Sequence, residues 1–179
     1  GGATVKRVPP DLDGAFCVDA HTARMAKSAL QGLNVLLLED DVLLRKRLTA
    51  FLEKAGAEVT AVSAVANARE ALAELSFELA LIDVNLPDGR GTDLLQEKRF
   101  SPTTAVIVMT AEGGVAGAVE AIRAGAADYL VKPFDPDELP LRVAQVRRSR
   151  QARRADEFRR TQESDLVFGA SLAGVREQL

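Results

Sequence analysis

The chain has 179 residues, enough for one core with additional segments, and 23 Lys and Arg against 26 Asp and Glu give it a net charge of -3. This balance provides no overall basic field for nucleic acid, and one cysteine and one histidine can form neither an internal disulfide nor a zinc site. No apolar run reaches the roughly 18 residues of a membrane span, so we expect a cytoplasmic protein without a membrane segment.

Residues 1–33 are interpreted as an N-terminal arm or extra helix. Within this arm only residues 20–30 have a helical pattern, which Gly32 would end. Cys17 and His21 also lie here. We interpret both as ordinary arm residues, because no neighbouring feature activates the thiol and no four-helix context supports a phosphotransfer histidine.

From Asn34 onward, short apolar runs alternate with longer segments of helical period. The runs have no polar side to face water, which predicts parallel strands covered by helices on both faces. Five such units predict an α/β fold with a doubly wound five-stranded parallel sheet, order 2-1-3-4-5, and an extended C-terminal helix. The predicted strands are residues 35–38, 58–62, 79–83, 105–109 and 127–131.

The predicted helices lie between these strands. The first has an apolar face and an N-cap at Asp41, Ser63 is expected to cap the second, and Gly125 to end the fourth. The fifth is expected to begin at Pro136, since a proline in the first helical turn removes no needed hydrogen bond. The helices are predicted at residues 41–55, 63–75, 91–98, 115–124 and 136–163.

Polar side chains follow four of the predicted strands. Glu39 and Asp40 end the first, Asp83 the third, Thr110 the fourth and Lys132 the fifth. Because the carboxyl ends of parallel strands meet at one edge of a sheet, we expect these side chains to converge.

Such a cluster suits phosphoryl chemistry. Neighbouring carboxylates repel one another, and a hard cation relieves that repulsion. Mg²⁺ takes one or two carboxylates, keeps several waters and binds phosphate oxygens, while Lys132 and Thr110 supply a charge and a hydroxyl for other oxygens. Asp83 would then be the nucleophile that forms an acyl phosphate.

The same residues lie in four motifs, and with them the chain resembles the receiver domain of bacterial two-component response regulators over about residues 34–148. The motifs are LLEDD at residues 37–41, LIDVNLPDG at 81–89, MTA at 109–111 and DYLVKPF at 128–134. All four occur in the order typical of that family. The resemblance implies the CheY-like fold and a phosphoacceptor domain that is not an enzyme in the usual sense, although it catalyses its own phosphorylation and dephosphorylation.

The resemblance also implies a role for each site residue. Asp83 is the phosphoacceptor, Asp40 is a direct Mg²⁺ ligand, and Glu39 acts mainly through water. The carbonyl of Asn85 completes the metal shell. Lys132 pairs with the phosphate, and its peptide bond to the following proline is expected to be cis.

Two further pairs of residues follow from the resemblance. Thr110 is expected to move with the phosphoryl group and Tyr129 to swing inward with it, although an aromatic side chain on a strand also packs without any switch role. Asn85 and Glu112 are expected to orient a hydrolytic water, which predicts a short-lived acyl phosphate. The phosphoryl donor is expected to be a sensor histidine kinase.

The fifth helix is predicted to continue as a basic linker over residues 149–165. A charged, solvated helix explains its arginines better than direct DNA contact, so DNA is expected only through other domains. A weak apolar seam predicts a homodimer through the fourth and fifth helices and the linker. The seam residues are Val143, Val146, Ala152, Ala155 and Phe158.

Residues 166–179 resemble the start of the AAA+ ATPase domain of sigma-54-dependent activators of the nitrogen-regulator class, although Leu172 stands where that family has proline. The resemblance implies a receiver and linker from a longer transcription activator, whose parent would be an ATPase. Two alternatives stay open: a stand-alone signalling adaptor, and a Mg²⁺-dependent aspartyl-phosphate phosphohydrolase. We disfavour the phosphohydrolase, because Asn85 occupies the position of its second catalytic aspartate.

Overall fold

The computed structural model describes residues 29–111 and 115–173 of the chain. The strands are β1 (Asn34–Leu38), β2 (Glu58–Val62), β3 (Leu79–Asp83), β4 (Asn85–Leu86), β5 (Gly89–Arg90), β6 (Ala105–Thr110) and β7 (Asp128–Val131). The helices are α1 (Val42–Lys54), α2 (Val65–Glu74), α3 (Asp93–Gln96), α4 (Val115–Arg123) and α5 (Leu139–Ala173), and a 3-10 turn over Pro136–Glu138 leads into α5.

Five strands form one parallel sheet in the order β2-β1-β3-β6-β7. Because β4 and β5 form a separate two-stranded hairpin, β6 and β7 are the fourth and fifth strands of the main sheet. The predicted doubly wound α/β topology with order 2-1-3-4-5 is therefore confirmed. This hairpin follows β3 directly and was not predicted. It turns at Gly89, whose φ of 148° favours glycine.

Hydrophobic layers cover both faces of the sheet. One layer packs α1 and α5 on the sheet through Leu48, Leu52 and Val143. The other packs the remaining helices, with Ala68 and Leu94 among its buried residues. Burial on both faces is expected for every strand, but several side chains of β2 reach solvent. The reason is that β2 lies at the edge of the sheet.

The beginnings of α1 and α2 differ in how well the sequence predicts them. Asp41 caps α1 as expected, accepting a hydrogen bond from the N–H of Leu44 at 2.8 Å. The Ser63 prediction is wrong, because α2 begins after Ala64 without a side-chain cap of its own. The first two N–H groups of α2, those of Val65 and Ala66, instead donate hydrogen bonds to the carboxylate of Asp88, which is distant in sequence.

Helix α3 is shorter than the predicted span of 91–98. Gly91 lies in the turn after the hairpin, where its N–H donates to the carbonyl of Val84 at 3.0 Å. At the other end, Lys98 has a left-handed φ of 54°, which is incompatible with a continuing helix. The predicted end of α4 is correct, since Gly125 follows it with a φ of 106°.

The last residues of the predicted arm belong to the core. Leu30 is fully buried and Leu33 nearly so, both in the layer under α1 and α5. Arg147 of α5 also donates to the carbonyl of Ala29 at 2.8 Å, which ties this segment to the last helix. Cys17 and His21 lie outside the described residues.

Helix α5 has 35 residues and continues about ten residues beyond the predicted end near Glu163. Val143 and Val146, predicted as part of a dimer seam, are buried against the sheet instead. Because these two side chains are already covered, any seam would begin at Ala152. Among the described residues, no helix is both long and apolar enough to cross a membrane.

Candidate functional site

Three carboxylates converge at the carboxyl edge of the sheet, as the sequence predicts. Glu39 follows β1 and is fully buried, Asp83 ends β3 and is 6% exposed, and Asp40 is exposed to solvent. One oxygen from each lies within 4.8 Å of the others. Their convergence follows from the parallel pairing of β1 with β3, which brings both strands to the same edge.

Lys132 lies between two of these carboxylates. Its Nζ is 2.7 Å from Oδ2 of Asp83 and 2.6 Å from Oε2 of Glu39. The end of β7 positions it, because its backbone N–H donates to the carbonyl of Thr110 at 2.7 Å. The Lys132-Pro133 peptide bond is cis, as the resemblance implies.

Burial and pairing oppose each other in the pKa values of this cluster. Burial raises the pKa of Glu39, the adjacent Lys132 lowers it, and the net direction is upward. Burial lowers the pKa of Lys132, but its hydrogen bond to Asp83 and its ion pair with Glu39 together outweigh burial and raise the pKa. The lysine is therefore charged at neutral pH, and one ammonium faces three carboxylates.

The donor set fits a small divalent cation. Oε2 of Glu39 is buried and, despite the ion pair with Lys132, accepts no well-directed hydrogen bond from any described group. The other oxygen, Oε1, accepts from the N–H of Asp41 at 3.2 Å. A buried carboxylate oxygen without a hydrogen bond is unfavourable, and a water or cation in the cluster would satisfy it.

Arg45, which the sequence did not predict as a site residue, holds in place the acidic loop formed by Glu39 and Asp40. Its Nη1 donates to the carbonyl of Glu39 at 2.7 Å and to that of Asp40 at 3.0 Å. These bonds fix the backbone that presents both carboxylates. Arg45 is half-buried and lies one turn before Leu48, at the border of the apolar face of α1, and a basic residue at that border was the sequence signal for this contact.

Asn85 and Gly91 shape the loop beside Asp83. The backbone N–H of Asn85 makes a long, 3.4 Å hydrogen bond to Oδ1 of Asp83. Gly91 packs so closely on the carbonyl of Asp83 that a Cβ at this position would overlap it. The sequence pattern predicts Gly91 at the start of a helix and does not indicate this contact.

The remaining predicted site residues differ in how they are placed. Thr110, at the end of β6, is 4% exposed and lies next to β7 in register with Val131. Tyr129 is partly buried against the second hydrophobic layer, an arrangement compatible with plain packing and with a switch role. Glu112 lies outside the described residues.

Comparison with known proteins agrees with this geometry. The sequence profile described as "Response regulator receiver domain" matches residues 35–144. PetR of Rhodobacter capsulatus is 38% identical over 115 residues, which cover 64% of this chain and 48% of PetR. The response regulator protein FleR of Pseudomonas aeruginosa is 48% identical over 102 residues, covering 56% of this chain and 22% of FleR.

Solved structures of similar fold include chemotaxis response regulator CheY4 of Vibrio cholerae, with a TM-score of 0.60, 26% identity, and coverage of 65% of this chain and 99% of CheY4. The beryllofluoride-activated NtrC4 receiver domain dimer has a TM-score of 0.57 and 33% identity, covering 63% of this chain and 94% of that one. Among eight similar curated relatives, the match spans 22% to 53% of the relative's length.

Proposed function

The chain belongs to the family of response regulator receiver domains, and from this membership and the site geometry we propose that Asp83 accepts a phosphoryl group from a sensor histidine kinase. The observation that carries the proposal is the Asp83 carboxylate at the strand edge, in contact with Lys132 and within reach of two further carboxylates. Its 6% exposure leaves it open to a donor from one side only.

The transfer exchanges one bond for another. A carboxylate oxygen of Asp83 forms a bond to phosphorus as the phosphorus–nitrogen bond of the kinase phosphohistidine breaks, and that electron pair returns to the imidazole. Mg²⁺ held by Asp40, Asp83 and the carbonyl of Asn85, with Glu39 acting through water, would neutralise charge on the phosphoryl oxygens. Arg45 keeps the backbone of the acidic loop fixed during the transfer.

Lys132 and Thr110 provide the charge and the hydroxyl that a new phosphoryl group requires. Lys132 is held beside Asp83 before transfer, so its ammonium needs only a small movement to reach a phosphoryl oxygen. The Thr110 hydroxyl would bind a second oxygen. Tyr129 would follow Thr110 inward, and this change would alter the surface formed by α4 and β7.

Asn85 and Glu112 are proposed to set the lifetime of the acyl phosphate. The backbone of Asn85 lies beside Asp83, and its side chain is exposed at the mouth of the site. From that position the amide can orient a water toward the phosphoryl group. This predicts that the acyl phosphate of the parent chain hydrolyses faster than that of a variant with an apolar residue in place of Asn85.

We further propose that phosphorylation changes dimerisation through α4 and α5 and thereby regulates a transcription-activating output domain. Support comes from relatives named as transcriptional regulators and from the NtrC4 receiver, which is described as a dimer in its activated state. The resemblance of residues 166–179 favours an AAA+ output of the sigma-54 activator class. A stand-alone adaptor remains the alternative.

Phosphorylation by a small-molecule donor such as acetyl phosphate tests the acceptor directly. Intact-protein mass spectrometry should show the addition of one phosphoryl group in the presence of Mg²⁺ and none in EDTA. Asp83→Asn should abolish the addition. Asp41→Asn is the matched control: it removes a carboxylate two residues from Glu39, keeps a capping side chain, and should leave phosphorylation intact.

A further inference from the structure

A groove lies at the amino edge of the sheet, the edge opposite to the one that carries Asp83. It lies between the amino ends of β6 and β7, the residues after α4, and one face of α5, and it encloses about 510 Å³. Residues that line it include Thr104, Gly125, Asp128, Ser149, Arg150 and Arg153.

The charge of this groove is positive. Three arginines of α5 line it, and Asp128 is the one acidic residue among the lining residues. Asp128 is paired with Arg142 at 3.5 Å. Arg150 and Arg153 form no ion pair with any acidic side chain that the structure describes, so two positive charges of the groove lack a described counter-charge.

Arg150 has a hydrogen-bonding nitrogen without a partner. Its Nη2 donates to the carbonyl of Pro102, whereas its Nη1 is buried and makes no hydrogen bond to any described group. A buried donor of a charged group that lacks a hydrogen bond is unfavourable, and an anion oxygen would satisfy it. Burial, then the neighbouring Arg154 and Arg153, lowers the pKa of Arg150, which agrees with an uncompensated positive site.

We propose that this groove binds a phosphate-bearing anion through Arg150 and Arg153. A guanidinium matches two oxygens of a tetrahedral anion with two parallel hydrogen bonds. Ser149 and Gln145 of the same helix face line the groove and can donate to further oxygens. The ligand is either free phosphate or a phosphomonoester, since both carry the same dianionic group. None of the residues that line the groove belongs to the acidic cluster around Asp83.

Titration of the full chain, labelled with nitrogen-15, tests the proposal. Potassium phosphate, glycerol phosphate and, at the same ionic strength, potassium chloride would be added without Mg²⁺ while amide chemical shifts are recorded. We expect saturable shifts at Gly125 and Ser149 with the phosphates and none with chloride. If glycerol phosphate binds more tightly than potassium phosphate, the ligand is a phosphomonoester. If the two bind equally, the groove recognises only the phosphoryl group that they share.

Matched variants separate a built site from general screening. Arg150→Met should raise the dissociation constant about tenfold or more, because it removes charged hydrogen bonds. Arg153→Met, at an exposed position, should do the same without disturbing the core. Arg148→Met removes an equal charge from an exposed position outside the groove and should change the constant less than about twofold. Equal effects of Arg148→Met and Arg150→Met, or no saturable shift with either phosphate, would overturn the proposal.

Discussion

At the residue scale, Glu39 combines a proposed role in cation binding with a cost in stability. Its burial raises its pKa despite the adjacent Lys132, so the ionised form is less favourable in the folded chain than in the unfolded one. A raised carboxyl pKa gives stability that is present below the unfolded pKa and is lost as pH rises through the folded pKa. Stability alone would therefore not favour an ionised Glu39 at this position, which agrees with the proposed role of the cluster in binding a cation.

Glu39→Gln tests this reading. In EDTA we expect the variant to be more stable than the parent at pH 7.5, because it removes a buried carboxylate of raised pKa, and the difference should shrink as pH falls toward 4.5. Thermal unfolding at several pH values measures it. Glu53→Gln removes a charge from an exposed site on α1 and serves as the control. A variant less stable than the parent at pH 7.5 would refute the argument.

Gly91 provides a second test, because its lack of a side chain permits the approach to the Asp83 carbonyl. Gly91→Ala should destabilise the fold by about 1–3 kcal/mol and slow phosphorylation, since the backbone of Asp83 must shift. Gly125→Ala is matched: it introduces strain at a φ of 106° but has open space around the new Cβ. Urea unfolding should show that both variants are less stable than the parent. Only Gly91→Ala should also be phosphorylated more slowly. A normal phosphorylation rate in Gly91→Ala would contradict the expectation.

The sequence predicts some site residues better than others for a physical reason. Asp83, Thr110 and Lys132 are positioned by the ends of parallel strands, and strands are readable from runs of apolar residues. Arg45 and Gly91 are positioned by loop conformations, which depend on contacts distant in sequence. Local patterns carry no information about those contacts.

At the element scale, the loop after Asp83 is joined to helix α2. The carboxylate of Asp88 accepts hydrogen bonds from the N–H groups of Val65 and Ala66, each at 2.9 Å. These bonds lower the pKa of Asp88. Helix α2 is in turn joined to the chain after α3, because Arg69 pairs with Glu97 at 2.6 Å, and this pairing with the help of Arg99 lowers the pKa of Glu97 to about 2.

Asp88→Ala should therefore destabilise the domain at neutral pH by removing the cap of α2. A depressed carboxyl pKa gives stability that is present above the unfolded value of 3.8 and is lost as pH falls through the folded pKa. The difference from the parent should accordingly disappear in acid. Ser63→Ala, at the position that the sequence favoured as the cap, should have little effect. Thermal unfolding of both variants at pH 7 and pH 3 measures these differences. A larger loss of stability in Ser63→Ala than in Asp88→Ala would contradict the structure.

At the scale of the whole molecule, the two ends of the sheet have different tasks. The carboxyl edge holds the acidic cluster, while the opposite edge carries the anion groove and the segment at Leu30. Helix α5 extends away from the core. Helix α4 exposes Val119 (40%) and Ile122 (48%). Exposed aliphatic side chains on α4 are available to pair with a second copy.

Phosphorylation-dependent pairing can be measured by sedimentation velocity. With Mg²⁺ and beryllofluoride we expect the mass to change toward the dimer, and Asp83→Asn to abolish the change. Val119→Asp should weaken association about tenfold or more, because it places a charge in the proposed interface and lies outside the anion groove. Leu43→Asp, at a 79% exposed position on α1, is the control and should associate normally. Equal loss in both variants would exclude the α4 surface.

The central claim is that Asp83 is the phosphoacceptor, and mapping of the modified residue tests it most directly. The chain is treated with acetyl phosphate and Mg²⁺, then reduced with borohydride, which converts an aspartyl phosphate to homoserine. Peptide mass spectrometry should find homoserine at position 83, and no homoserine when Mg²⁺ is omitted. Homoserine at another carboxylate, such as Asp40, or at none, would contradict the account.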